Sequence, residues 1–296
     1  SSSAVTGSSA NDIDTTGATP RVVTASLRFS WAASINPGVR GWASTAPAWE
    51  NQPVTAIWAH RGASAYAPEN TLTAFQLALQ MGADGVELDV QRTADGQVVA
   101  IHDETINRTS NGFGRVVDQT LEQLRRCDFS NRFAGRRNVK IPTLREVLDL
   151  FRGTGLTVNI ELKNTIVLYP GLEDDVLRIV QDAGMLDQVL ISSFNHFSLA
   201  NLRGRVAPEQ LALLMSDGIY DPWKYAKWFG AGAIHPHYLA LQHPNFVWLC
   251  HEAGIKVHAW TVNKDDDARW LAGLGVDAVI TNLPDRIADV LRGPGW

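Results

Sequence analysis

From Val54 onward, short apolar runs alternate with segments whose apolar residues recur at helical spacing. A buried strand of a parallel sheet has a near-continuous apolar run, whereas a helix that covers the sheet is amphipathic. The predicted strands are Ala56–His60, Gly85–Val90, Thr157–Leu162, Gln188–Phe194, Leu211–Met215, Ala233–His237, Lys256–Val262 and Asp277–Asn282, and the predicted helices include Thr71–Met81, Leu144–Phe151, Leu172–Ala183, Phe246–Ala253 and Asp265–Gly273. Eight strands that alternate with helices predict an α/β protein with a (β/α)8 TIM barrel, and a doubly wound open sheet is the alternative.

One further apolar run, Gln97–Ile101, follows the second predicted strand after only four residues, Thr93-Ala94-Asp95-Gly96. Asp-Gly is a strong hairpin signal, and a parallel crossover needs about a dozen residues or more. The run is therefore predicted to return antiparallel to the second strand. With the turn centred near residue 95, we expect His102 to lie opposite Glu87.

Two segments fall outside the alternation. Residues 103–140 contain no barrel strand, and a loop of this length within a compact domain is usually functional, so we expect it to cap the barrel mouth. Residues 1–20 are rich in Ser, Thr, Ala and Gly without periodicity, which is typical of a disordered tail. The predicted organisation is an N-terminal extension, 1–53, followed by a barrel, 54–296, with the insertion 103–140.

Composition narrows the class of protein. Hydrophobic residues make up 45% of the chain and charged residues 19%, as in an ordinary globular protein with ample material for a core. The net charge of −5 gives no reason to expect nucleic-acid binding. No apolar run reaches the roughly 18 residues of a transmembrane helix. Cys127 and Cys250 have no second cysteine nearby, which argues against a zinc site or a disulfide framework. We expect a soluble protein, cytoplasmic rather than exported, whose oligomeric state stays open.

Acidic residues stand at the ends of two predicted strands. Glu87 and Asp89 are two positions apart, so their side chains point to the same side of the strand, which is the barrel interior near the C-terminal mouth. Glu161 repeats this placement on the next parallel strand. Bare carboxylates so close together repel each other unless a cation lies between them. The three acids therefore predict a site for one divalent cation, Mg²⁺ or Ca²⁺.

Basic residues and histidines lie beside these acids. Arg61 is suited to bidentate contact with a phosphate, and Lys163 adds a second positive charge. His60 ends the first strand, and His102 follows the returning hairpin strand. Two histidines can serve as the general base and general acid of a phosphate-ester cleavage, although the sequence leaves open which takes which role.

Two other positions have two interpretations each. Glu69 either begins a helix or holds Arg61 in place, and Trp260, at the end of a predicted strand, either forms an apolar wall for substrate or packs in the core. Of the remaining histidines, His235 and His237 are the ones placed to line the mouth, although an ordinary surface or loop histidine is the favoured interpretation of each.

The order of these motifs resembles the glycerophosphodiester phosphodiesterase family, roughly from Val54 to Leu291. The resemblance is carried by His60-Arg61-Gly62, Pro68-Glu69-Asn70-Thr71, Glu87-x-Asp89, His102-Asp103, Ile141-Pro142-Thr143-Leu144, Glu161-x-Lys163, Ala259-Trp260-Thr261-Val262-Asn263 and Thr281-Asn282-Leu283-Pro284.

The resemblance implies a barrel with a small insertion after the hairpin, and metal-dependent hydrolysis of a small-molecule glycerophosphodiester to glycerol 3-phosphate and an alcohol. Carried over position by position, it assigns the cation to Glu87, Asp89 and Glu161, acid–base catalysis to His60 and His102, and phosphate binding to Arg61 and Lys163. Attack by the substrate's own glycerol hydroxyl, followed by hydrolysis of a cyclic phosphate, and direct attack by water both remain open.

Two alternatives accompany this expectation. A lysophospholipase D-like or broader phosphodiesterase of the same fold would have a wide apolar groove beside the cation, built from residues such as Phe113, Phe129, Phe194 and Trp223. A non-catalytic barrel that binds a phosphodiester is the second, and the intact set of acids and histidines argues against it.

Overall fold

A computed structural model of the chain describes residues 54–130, 133 and 135–294. Predictions for residues 1–53 lie outside this range. The strands are β1 (Ala56–His60), β2 (Gly85–Arg92), β3 (Val98–Ala100), β4 (Thr157–Leu162), β5 (Val189–Ser193), β6 (Leu211–Met215), β7 (Ala233–Pro236), β8 (Lys256–Ala259) and β9 (Ala278–Thr281). The α-helices are α1 (Leu72–Gln80), α2 (Leu121–Arg126), α3 (Leu144–Phe151), α4 (Leu172–Ala183), α5 (His196–Ala200), α6 (Pro222–Phe229), α7 (Phe246–Glu252), α8 (Asp265–Leu274) and α9 (Pro284–Arg292).

Eight of these strands, all except β3, pair in parallel and in chain order. The sheet closes because β1 is hydrogen-bonded to both β2 and β9. Helices connect successive strands and cover the outside of the sheet, where their apolar residues join one large buried cluster. The predicted (β/α)8 TIM barrel is confirmed, and the open-sheet alternative is wrong. The longest described helix, α4, has 12 residues, and no helix within the described ranges is long and apolar enough to cross a membrane.

The strand β3 pairs antiparallel with β2, as predicted, but the predicted register is wrong by one residue. Val90 lies opposite Ala100 and Gln91 opposite Val99, so the ladder would place position 102 opposite 88 rather than 87. The strand also ends at Ala100, and His102 lies beyond it. The Thr93 N–H donates to the Gln97 carbonyl at 2.9 Å and centres the hairpin on Asp95, as predicted. A hairpin centred there pairs position 102 with 88, so the predicted partner of His102 was one residue off.

Several barrel strands end earlier than predicted. The strand β8 ends at Ala259 instead of Val262, and β9 ends at Thr281 instead of Asn282. The apolar pattern continues past these points, but the backbone leaves the ladder. The Asn282 N–H, for example, donates to the Asn263 side chain at 2.9 Å. The residues beyond each strand therefore belong to the loops that form the mouth.

The described part of the insertion 103–140 has an apolar cluster of its own, which it shares with β3. The cluster comprises Val99, Ile101, Ile106, Val116, Leu124, Phe129 and Ile141. Val99 of β3 belongs to this cluster, whereas its neighbours on the strand belong to the barrel core. The hairpin and the insertion therefore support each other beside β2.

The barrel interior below the mouth is filled around the Trp58 indole. Small residues on other strands, including Ala212, Ala233 and Ala278, leave room for this large ring. Gly85 lies beside Trp58 in the β1–β2 register, and a Cβ atom there would lie 2.7 Å from Trp58 Cδ1 and 2.8 Å from the Thr157 carbonyl oxygen. Only glycine lets β1 and β2 close the barrel around this tryptophan.

We expect Gly85→Ala to lower the free energy of unfolding by about 1–3 kcal/mol, because overpacking forces shifts in rigid neighbours. Gly273→Ala is the matched control, since Gly273 lies within α8 and its added Cβ would meet nothing within 4 Å. The control should leave stability unchanged or raise it by up to about 1 kcal/mol. Urea unfolding of both variants measures the difference, and equal stabilities would contradict the packing argument.

Candidate active site

Acidic side chains from β2 and β4 meet at the carboxyl-terminal end of the barrel. The parallel register places Asp89 opposite Glu161 and Glu87 opposite Asn159. One carboxylate oxygen from each of Glu87, Asp89 and Glu161 lies within 4.8 Å of the other two. Their exposed fractions are only 4%, 0% and 9%, so water does not screen the three groups from one another.

This crowding separates the pKa values of the three acids. Burial raises the pKa of Glu87 well above its usual range, and the charge of Asp89 adds to the shift. Burial raises the pKa of Glu161 to about 7, again with Asp89 contributing. Burial acts to raise the pKa of Asp89 too, but the Arg61 guanidinium outweighs it and holds that pKa well below its usual value. Near neutral pH the free site therefore carries fewer than three negative charges.

Two acceptor atoms of the site are buried without a hydrogen-bond partner among the described atoms, Oδ1 of Asp89 and Oδ1 of Asn159. Buried acceptors are nearly always satisfied, so an unpaired one calls for an explanation. Carboxylate and amide oxygens are hard donors of the kind that Mg²⁺ and Ca²⁺ prefer. The donor set therefore fits a hard divalent cation.

Two cationic side chains flank the acids. Arg61 Nε lies 3.2 Å from Asp89 Oδ2, and its backbone N–H donates to Glu87 Oε2 at 2.9 Å. Lys163 Nζ lies 2.9 Å from Glu161 Oε1 and 3.9 Å from Asp89 Oδ1. Arg61 adopts the left-handed conformation with φ 56°, which turns the chain at the end of β1. Both side chains can neutralise part of the negative charge of the carboxylates or of a bound anion.

Gly62 lets the chain turn tightly after Arg61. Its φ is 77°, and an added Cβ would lie 2.6 Å from the backbone of Ala74. The α1 helix can therefore approach the end of β1 closely, which places Asn70 against Asp89, where the amide Nδ2 donates to Oδ2 at 2.9 Å.

His60 is held through one ring nitrogen. Nδ1 lies 2.7 Å from Asn282 Oδ1, and because an amide oxygen only accepts, Nδ1 carries the proton and donates it. Nε2 is then the unprotonated nitrogen, 3.9 Å from Glu87 Oε2. Burial, with the positive charge of Arg61, lowers the pKa of His60 to about 4. The neutral ring can accept a proton at Nε2.

His102 has a carboxylate partner instead. Its Nδ1 lies 2.7 Å from Asp103 Oδ1. Asp103 also accepts a hydrogen bond from Arg108 Nε at 2.6 Å, and this contact is the main reason that the pKa of Asp103 falls to about 2. The Asp103 carboxylate therefore fixes the orientation of the His102 ring through Nδ1 and leaves Nε2 as the ring nitrogen for contact with a ligand.

Glu69 joins the two sides of this network. It accepts hydrogen bonds from Arg61 NH1 at 3.0 Å and from Arg108 NH1 and NH2 at 2.7 Å each. The α1 helix has no acidic residue in its first turn and is capped by Thr71, so the helix-start interpretation of Glu69 is wrong. Glu69 ties the insertion to the end of β1.

The groups surround one cleft with an empty volume of about 490 Å³. Polar residues from β1, β2, β4 and their loops form a polar wall of the cleft, and Phe194, Leu214, Trp260 and Ile280 form an apolar wall. Seven of the eight site residues predicted from the sequence line the cleft, and Asp89 lies directly beneath it. His235 also lines the cleft, whereas His237 contacts the Trp260 ring edge-on at 5.2 Å between ring centroids.

Sequence reasoning missed Asn282, Arg108 and Asn159 as parts of this site. Asn159 and Asn282 carried a usable signal, since Asn159 lies two positions before Glu161 on the same face of β4 and Asn282 directly follows β9. Arg108 carried none, because it lies within an irregular insertion. Of the four aromatic residues considered for an apolar groove, only Phe194 lines the cleft. Phe113 is 81% exposed, Phe129 is buried in the insertion, and Trp223 packs against Phe246.

Solved structures of other proteins are similar to this chain in fold. A solved phosphodiesterase of Oleispira antarctica, in complex with its product sn-glycerol-3-phosphate, superimposes with a TM-score of 0.74 at 29% identity, over 80% of this chain and 96% of that one. A glycerophosphodiester phosphodiesterase structure from Agrobacterium tumefaciens gives a TM-score of 0.69 at 31% identity, over 79% and 99% of the two chains.

The sequence comparison agrees with the structural one. A glycerophosphodiester phosphodiesterase of Caldanaerobacter subterraneus subsp. tengcongensis is 42% identical over 245 residues, which cover 81% of this chain and 99% of the relative. The model of the glycerophosphoryl diester phosphodiesterase family matches residues 60–286, from His60 at the end of β1 to the first turn of α9. The chain therefore belongs to the glycerophosphoryl diester phosphodiesterase family.

Proposed function

We propose that this protein hydrolyses glycerophosphodiesters to glycerol 3-phosphate and an alcohol, and that the barrel, 54–296, is the catalytic unit. The observation that carries the proposal is the convergence of His60, His102 and the three-carboxylate cluster on one cleft at the barrel mouth. The complex of the Oleispira antarctica relative with sn-glycerol-3-phosphate supports the choice of substrate.

Binding of the phosphodiester is assigned to the cations of the polar wall. Arg61 presents a guanidinium that can contact two phosphate oxygens, and Lys163 presents a single ammonium group on the other side of the acids. Trp260 is proposed as the apolar wall against which the alcohol portion lies, since its ring lines the cleft with Nε1 anchored to the His235 carbonyl oxygen at 2.8 Å.

Glu87, Asp89 and Glu161 are proposed to hold one divalent cation, Mg²⁺ or Ca²⁺. The unpaired Asp89 Oδ1 and the mutual crowding of the acids support this assignment. Such a cation, when bound, withdraws charge from the phosphate and lowers the barrier to attack at phosphorus.

The two histidines are proposed to move the protons. His60 is the base, because its Nδ1 is occupied by Asn282 and its neutral Nε2 can take the proton of the attacking oxygen. His102 is the acid: Asp103 holds its ring through Nδ1, and Nε2 donates a proton to the alcohol oxygen as the phosphorus–oxygen bond breaks. The attacking oxygen belongs either to a glycerol hydroxyl of the substrate or to water, and water is consumed in both routes.

We expect the purified protein to release glycerol 3-phosphate from glycerophosphocholine, to lose this activity with EDTA, and to regain it with Mg²⁺ or Ca²⁺. His102→Asn should lower kcat about a hundredfold to ten-thousandfold, the usual contribution of a positioned acid or base. Glu87→Gln should abolish reactivation by the metal. A coupled assay for glycerol 3-phosphate measures all three effects.

His251→Asn is the matched control for the histidine variant, since His251 lies at the far end of α7 and pairs with Asp277 at 2.9 Å. Its kcat should stay within about twofold of that of the unaltered protein. Full turnover in EDTA, or equal losses in the two histidine variants, would contradict the assigned roles.

Metal affinity should also depend on pH. Burial raises the pKa of Glu161 to about 7, so the carboxyl is largely protonated at pH 6 and ionised at pH 8. Only the ionised form binds a cation, so affinity should rise with pH, by up to about tenfold per unit below pH 7. Calorimetric titration with Mg²⁺ or Ca²⁺ at pH 6 and pH 8 measures this, and Glu161→Gln should remove the dependence that is due to this group. An affinity that is equal at both pH values would refute the coupling.

A further inference from the structure

Exposed large apolar side chains are distributed unevenly between the two faces of the barrel. Among the described residues outside the helices, only Val54, just before β1, lies on the amino-terminal face. Many lie instead on the strand-to-helix loops at the carboxyl-terminal face, where the cleft opens. A random scatter of single exposed apolar residues is normal on a protein surface, but a one-sided accumulation is typical of an interaction surface.

Six of these side chains lie on the four consecutive connections that follow β4, β5, β6 and β7, with Phe197 in the first turn of α5 and the other five before the next α-helix, and we call them the apolar rim. They are Ile166, Leu168, Phe197, Ile219, Tyr220 and Leu239, with exposed fractions of 75%, 66%, 90%, 43%, 92% and 51%. Because β4 to β7 are neighbours in the barrel, their loops are neighbours at the mouth. The rim therefore adjoins the apolar wall of the cleft, to which Phe194 and Leu214 contribute from the same strands and loops.

The loops of the apolar rim carry few charges. Residues 164–171, 194–197 and 237–243 contain no Asp, Glu, Lys or Arg, and residues 216–221 contain only Asp217 and Asp221. A rim without cationic side chains has no attraction to an anionic membrane, whereas apolar and aromatic side chains of this kind insert between the headgroups of an uncharged surface. Phe and Tyr beside Ile and Leu form the combination that partitions into a lipid–water interface.

We propose that the apolar rim docks the catalytic face of this protein on a zwitterionic phospholipid surface. The choice of partner rests on charge. The rim matches a net-neutral headgroup layer, and it lacks the basic residues that an acidic lipid or an acidic protein requires. Docking orients the cleft toward the surface.

The position of the rim has a consequence for substrate supply, which rests on the proposed function. A phosphodiester headgroup at the surface of a lipid layer would face the carboxylates and histidines without leaving the interface. Binding to lipid needs no turnover, so a failure of docking and a failure of catalysis are measured separately.

The test is co-sedimentation of the full chain with sucrose-loaded phosphatidylcholine vesicles, at several lipid concentrations, to obtain a partition coefficient. Phe197→Ser/Tyr220→Ser should lower the coefficient about tenfold or more, since it removes two inserting rings. Trp228→Ser/Trp270→Ser is the matched control, because it removes two exposed rings from the last turn of α6 and from the middle of α8, with exposed fractions of 73% and 37%. The control should stay within about twofold of the unaltered protein.

Equal melting temperatures of the variants would show that lost binding is not unfolding. Three results would overturn the proposal. The first is equal partitioning of the rim and control variants, which would place lipid binding elsewhere in the chain. The second is binding only to vesicles with anionic phosphatidylserine, lost at high salt. The third is no vesicle binding together with self-association that the rim variant abolishes, since the rim would then be an interface between two copies of the chain.

Discussion

Three carboxylates share one buried space at the mouth of the barrel, and the repulsion between their charges is the constraint to which the other parts of the site respond. Arg61 and Lys163 approach from two sides, and Asn70 donates to Asp89. Even so, the pKa values of Glu87 and Glu161 remain raised. The protein's own cations and donors therefore do not fully offset the repulsion among the three carboxylates. A bound divalent cation would offset the rest.

The barrel supplies the rigidity that holds these groups together. Parallel register fixes which residues are adjacent across strands, and the Trp58 indole with its glycine and alanine neighbours fills the interior beneath them. The two histidines are then distinguished by their partners, an amide oxygen for His60 and an ionised carboxylate for His102. Two identical side chains thus meet chemically different partners within one cleft, which is the basis for their different proposed roles.

The mouth of the barrel combines three surfaces with different chemistry. The insertion contributes Arg108, which links Glu69 and Asp103 and so connects the end of β1 with the region of His102. The polar wall suits a phosphate, whereas the apolar wall and the apolar rim beyond it suit an alcohol or a lipid surface. The polar and the exposed apolar residues of these three surfaces lie on loops at this face. Such loops can carry function because the rigid barrel, not the loops, holds the fold together.

The sequence by itself determined the barrel, the hairpin and the set of acids, histidines and cations, because the periods of strand and helix repeat over the whole domain and chemical side chains recur at strand ends. It did not determine the hairpin register, the ends of β8 and β9, or the partners of the histidines. These depend on single hydrogen bonds between residues far apart in the chain, such as His60 with Asn282 and Arg108 with Glu69. The apolar rim was likewise invisible, since an apolar residue in a loop becomes a surface feature only when the fold places neighbouring loops on one face and leaves them uncovered.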